Sequence, residues 1–150
     1  MIILSIDPGS DKAEQSTTGI VLLDNAKLLD YWVVPNGAKG FRKWFEENLP
    51  GHDVAVIEKF EARDNGIAKD NTVLDVIATI TMLLPNAILQ RNAGYCSDVP
   101  NELLKALGLY KFKKSHHQDV RAAARLGLFW AIRNDIEEVV MELHSMKKDP

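Results

Sequence analysis

Four side chains in this sequence have the chemistry to hold a cation or to work on a phosphate: Asp7, Glu58, His116 and Asp119. Asp7 closes the apolar run Ile2-Ile3-Leu4-Ser5-Ile6 and is followed at once by Pro8-Gly9. Glu58 closes a second run, Val54-Ala55-Val56-Ile57. Each carboxylate stands where a short buried strand ends, and burying a carboxylate is costly unless it is paired, hydrogen-bonded or metal-bound. If the two strands are neighbours, both groups reach one end of a sheet, and like charges that close need a proton or a cation between them. His116 and Asp119 are three apart and share a face of a helix. Ala122 and Ala123 beside them are small enough to let that helix approach a sheet closely. Asp7, Glu58, Asp119 and His116 would then form a cage of three carboxylates and one imidazole. Oxygen ligands on a rigid scaffold suit Mg²⁺, with Mn²⁺ as a substitute.

Each residue also has a plainer reading. An Asp before Pro-Gly is a common turn former. A Glu ending a strand often sits on the sheet rim, and His and Asp in a helix's first turn serve as caps or dipole partners. The order and spacing of the set carry the metal reading, not any one member.

The elements that must position these groups can be read from periodicity. After the opening strand, Ser10 to Thr17 is polar and turn-like, and Thr18–Asp24 and Leu28–Pro35 read as two further strands joined by a short connection. Lys39–Asn48 places Phe41, Trp44 and Phe45 at helical spacing and stops before Pro50-Gly51. Asp53–Glu58 is a fourth strand, and the helix before it favours parallel pairing inside the sheet. Asp64-Asn65-Gly66 marks a loop. A long helix from Ala68 to Leu84 follows, with Val73, Val76, Ile77, Ile80 and Leu84 on one face, then a short fifth strand, Ala87–Gln90. Pro100–Leu109 reads as a helix capped by Asp98 or Ser97. Ser115 is placed to cap a helix running through Arg133, and the chain to Met146 continues helical. The expected fold is α/β: a mixed five-stranded sheet, a three-strand antiparallel meander plus two parallel strands, with helices on both faces.

At 150 residues with 46% apolar content, the chain is long enough for one domain, residues 1–150, with a real core. No apolar stretch approaches the ~20 residues of a membrane span. The start lacks the basic region and cleavage site of a signal peptide, and the single cysteine, Cys96, excludes an internal disulfide framework. A cytoplasmic setting, in a bacterial cell or a phage-infected host, is expected. The net charge of −3 argues mildly against nucleic acid, but its distribution reverses that inference locally. Between Asn101 and Arg125, Lys105, Lys111, Lys113, Lys114, Arg121 and Arg125 face only Glu102 and Asp119. Lys111 to Lys114 reads equally as a solvated loop or as a set of phosphate contacts.

The ordered set Ile6-Asp7-Pro8-Gly9, Thr18-Gly19, Val56-Ile57-Glu58-Lys59-Phe60 and His116-Gln118-Asp119-Ala122-Ala123 resembles the RuvC-type Holliday junction resolvases of the RNase H-like superfamily, in the shorter form carried by phages. The resemblance spans Met1 to Arg133. It implies a Mg²⁺-dependent, structure-selective endodeoxyribonuclease that cuts Holliday junctions and other branched DNA as a homodimer. Asp7, Glu58, Asp119 and His116 would be the catalytic and metal-binding residues. Phe60, Lys105, Lys111, Lys113, Lys114 and Arg121 would contact DNA, with Phe60 either wedged into the junction or simply packed. The pattern departs from that family in its long Ser10–Thr17 segment, in His116 where Asp is more usual, and in Phe60 lying one residue early. Two alternatives share the motifs: a YqgF-type RNase H-like nuclease acting on RNA, and a non-catalytic junction-binding protein of the same fold.

Overall fold

The computed structural model describes residues 1–9, 16–60, 72–113 and 117–147. Five strands, β1 (Ile2–Asp7), β2 (Thr17–Asp24), β3 (Lys27–Pro35), β4 (Val54–Glu58) and β5 (Ile88–Gln90), form one sheet in the order β3-β2-β1-β4-β5. The β1-β2-β3 meander is antiparallel, and β1-β4 and β4-β5 are parallel. This is the expected mixed sheet of three antiparallel and two parallel strands. The condition set by the sequence is met: β1 and β4 are direct neighbours, with Ile6 opposite Ile57.

Helices cover both faces, which is why β1, β2 and β4 read as nearly continuous apolar runs instead of alternating ones. On one face Leu4, Ile6, Ile20, Leu22, Ala55 and Ile57 pack against α1 (Gly37–Asn48) and α2 (Val73–Leu83). Phe41 and Trp44 supply the buried stripe of α1, and Val76 and Ile80 that of α2. On the other face Ile3, Val21, Leu23 and Val56 pack with residues of three C-terminal helices. These are α4 (Asn101–Ala106), α5 (His117–Arg133) and α6 (Glu137–Lys147). A one-turn helix, α3 (Tyr95–Asp98), links β5 to α4.

The sequence-based boundaries shift in two places. Of the helix expected over 68–84, Val73–Leu83 is described, with Thr72 as its N-cap, while residues 68–71 and the Asp64-Asn65-Gly66 loop lie outside the described residues. Neither Ser97 nor Asp98 caps α4: both belong to α3, Pro100 holds the N-cap position, and Asp98 pairs with Arg133 Nε at 3.0 Å. A β-region proline fits there because its fixed φ suits the entry to a helix and its missing N–H costs nothing. Ser115 and the Ser10–Thr17 segment up to residue 15 also lie outside the described residues.

Helix α5 crosses the sheet at unusually close range. The buried Ser5 hydroxyl donates to the Ala123 carbonyl at 2.6 Å. A Cβ on Gly127 would stand 3.0 Å from Ser5 Cβ and 3.3 Å from Leu23 Cδ1. A serine and small helix residues thus remove the side-chain layer that normally separates a helix from a sheet. Enlarging one of them should lever the helix away, because overpacking a dense interior costs about 1–3 kcal/mol or more. Gly127→Leu is therefore expected to lower the denaturant midpoint at unchanged m-value, measured by urea unfolding followed by circular dichroism.

Candidate active site

Side chains alternate across a strand. Asp7 is two residues beyond Ser5 and Glu58 two beyond Val56, so both carboxyls turn to the α5 face at the same sheet end. The parallel pairing of β1 with β4 makes those ends coincide. Asp7 and Glu58 share a side-chain hydrogen bond. Burial pushes the Asp7 carboxyl well above the usual carboxylate range, the hydrogen bond to Glu58 raises it further, and the charges of Glu58 and Asp119 add to the effect.

Asp119 arrives from α5 by a different route. Gly19, the cross-strand partner of Asp7 on β2, lies directly beneath it: a Cβ there would be 2.3 Å from the Asp119 carbonyl oxygen and 2.9 Å from its Cβ. The missing side chain lets the first turn of α5 settle beside Asp7. Thr17 Oγ1 then donates to Asp119 Oδ2. The buried Thr18 fixes the neighbouring turn, accepting a hydrogen bond from the Gly9 N–H at 3.0 Å. Glu58 is held in turn by Asn92, whose Nδ2 donates to Oε1. The Tyr95 ring is nearby, and burial followed by the Glu58 charge raises its hydroxyl above the usual phenol value.

Three of the four sequence-identified carboxylate and imidazole residues are therefore placed, and Asp7, Glu58 and Asp119 converge. His116 lies outside the described residues. Among the described residues no three His, Cys, Asp or Glu side chains enclose an ion as arranged: Asp7 and Glu58 touch, and Asp119 acts on Asp7 through its charge. The donor set itself is all oxygen and excess negative, the chemistry that a hard divalent cation satisfies.

The residues read as DNA contacts divide. Lys105, Lys111 and Lys113 are exposed, and Lys114 lies outside the described residues. Phe60, just past β4, is half-buried. Arg121 is half-buried and holds partners within the protein. Its Nε and Nη2 donate to the Tyr110 carbonyl at 3.0 and 2.9 Å, and its guanidinium lies 3.5 Å from the Tyr110 ring centre. Arg125, counted in the local positive excess, is buried and donates to Val99 and Asn101. Sequence reasoning missed Thr17 and Asn92. It also overlooked the spacing role of Gly19, although a glycine inside a strand is a signal of close backbone approach.

No family model matches the sequence, and no curated protein matches it. Solved structures do. Thermus thermophilus RuvC in complex with a Holliday junction substrate superimposes with a TM-score of 0.61 at 16% identity, covering 91% of this chain and 96% of that one. A second structure of Thermus thermophilus RuvC gives 0.59 at 15% identity with the same coverage. The chain has the RuvC fold. Among the described residues no helix is long and apolar enough to cross a membrane.

Two outcomes follow from this geometry. A carboxyl whose folded-state value is raised lowers stability as pH climbs from the ordinary carboxylate range to that raised value, because the folded state holds a proton the unfolded chain releases. Metal-free wild type should thus lose thermal stability across that window, and Asp7→Asn should flatten the slope and raise Tm at neutral pH. Each 1.4 kcal/mol corresponds to one pH unit, and each kcal/mol to about 2–4 °C, read by calorimetry in EDTA. Gly19→Ala should do the reverse, destabilising by about 1–3 kcal/mol in urea melts, since backbone and not a flexible side chain blocks the new methyl.

Proposed function

We propose that this protein is a metal-dependent, structure-selective endodeoxyribonuclease that resolves Holliday junctions and other branched DNA as a homodimer. One observation carries the reading. Asp7, Glu58 and Asp119, far apart in sequence, meet at one sheet end of a RuvC fold, where their mutual repulsion calls for a cation.

Asp7 is the central ligand in this proposal, because it stands between Glu58 and Asp119 and has the most strongly perturbed carboxyl. Glu58 and Asp119 would hold the ion from either side, and His116, which precedes α5 in the sequence, would complete the set. When bound, Mg²⁺ or Mn²⁺ would supply the positive charge and Lewis acidity for in-line attack of water on a phosphodiester, with loss of the 3′ oxygen. The carboxylates would give up the shared proton on loading, so the site becomes attractive to phosphate only once it is charged. Thr17 and Asn92, both neutral, restrain the carboxylates without cancelling the charge that a cation needs.

Lys105, Lys111, Lys113 and Lys114 would contact the DNA backbone, which makes binding fall with salt. Arg121 would serve mainly by holding Tyr110, over whose ring Lys105 Nζ also sits at 4.7 Å. Phe60 would face the junction beside Glu58. Helix α2 leaves Leu74 and Met82 45% and 66% exposed, apolar surface of the kind a subunit contact would cover. A two-fold dimer would present two sites for paired nicks.

The test is cleavage of a synthetic four-way junction in Mg²⁺, Mn²⁺ and EDTA, with linear duplex and structured RNA as controls. Wild type should nick the junction only with metal. Asp7→Asn should lose at least about 100-fold in rate, the scale of several kcal/mol of transition-state stabilisation, while retaining junction binding in a mobility shift. Wild-type cleavage by Asp7→Asn would sink the proposal, as would preferential cleavage of RNA.

A further inference from the structure

Glu58 ends β4 with its backbone partner Gln90 on β5, and the chain beyond that pair is tightly tied. The Lys59 N–H donates to the Gln90 carbonyl at 2.9 Å, extending the parallel ladder one step past the carboxylate. Two residues after Gln90, the Asn92 carbonyl accepts the Tyr95 N–H at 3.1 Å, and Gly94, at φ +85°, turns the chain into α3. Asn92 is thus fixed on both sides, by the end of β5 and by the start of α3. From that position its amide Nδ2 donates to Glu58 Oε1.

We propose that Asn92 is a positioning residue for Glu58: its amide holds one carboxylate oxygen, sets the side-chain orientation, and leaves the other oxygen turned toward Asp7 and an incoming divalent cation. This inference rests on the metal-site reading above and adds to it a residue that touches neither metal nor substrate. The chemistry suits the task. An amide N–H restrains a carboxylate without contributing charge, whereas Lys or Arg at the same place would compete with the ion for Glu58. Ligand-orienting partners of this kind typically account for 10- to 100-fold in metal affinity.

The experiment measures Mn²⁺ binding by electron paramagnetic resonance in the full chain for wild type, Asn92→Ala, Glu58→Gln, the double variant and Asp7→Asn, with thermal melts in EDTA as the folding control. Asn92→Ala should weaken Mn²⁺ binding about tenfold or more in the wild-type background. It should add almost nothing once Glu58 is Gln, because the group it orients has already lost its charge. Asn92→Leu, which keeps the volume and lacks the donor, should repeat the result and replaces the alanine variant if that variant fails to fold. Wild-type affinity in these Asn92 variants, or the same loss with and without Glu58, would overturn the positioning role. Absence of Asp7-dependent Mn²⁺ binding in wild type would instead overturn the metal-site reading and this inference with it, so the Asp7→Asn arm tells the two failures apart.

Discussion

The close passage of α5 over the sheet is the constraint on which the rest of this structure depends. Asp119 can stand beside Asp7 only because the helix lies almost on the backbone of β1 and β2. That distance is set by absent or small side chains: Gly19 beneath Asp119, Ser5 beneath Ala123, and Gly127 against Ser5 and Leu23. Ser5 makes the seam more than a steric fit. Its hydroxyl is fully buried, so the bond to the Ala123 carbonyl offsets a desolvation cost that only a correctly seated helix relieves. Packing and polar satisfaction therefore select the same helix position, and that position carries Asp119.

The electrostatics of the site follow from the same placement. Among the described residues, every group that acts on the Asp7 carboxyl raises it, and none of them is a cation. The arginines nearest in sequence to Asp119 are spent elsewhere: Arg121 on the Tyr110 carbonyl and ring, Arg125 on Val99 and Asn101. Aromatic and carbonyl partners hold these two guanidinium groups away, and among the described residues no cation is seen to offset the acidic cluster. Thr17 and Asn92 contribute direction without charge. A sheet end built in this way stores unfavourable repulsion that a proton or a divalent cation relieves.

The strand pattern and the convergence of Asp7 with Glu58 were legible in the sequence, because apolar runs ending in carboxylates and a helix between strands three and four restrict the topology strongly. Asp119 was legible through its neighbours Ala122 and Ala123, whose size permits close packing. Thr17 and Asn92 were not, since a threonine at a strand start and an asparagine near a glycine are ordinary turn residues until the fold places them against a carboxylate. The internal partners of Arg121 were not legible for a related reason: a count of cations carries no information about which ones find carbonyls and rings within the protein. The cap expected at Ser97 or Asp98 failed because a one-turn helix occupies those residues, and so short an element leaves no periodic trace.

The seam that joins α5 to β1 and β2 also orders events in time. Ser5 and Ala123 are 118 residues apart and Thr17 and Asp119 are 102 apart, whereas Glu58 and Asn92 are separated by 34. Contacts of such long sequence separation carry the largest loop-closure cost and belong to the slow part of folding. During synthesis the sheet carries two of its acids long before the third emerges. A chain still on the ribosome holds an incomplete acidic cluster, and its third carboxylate arrives with the docking of a single late helix.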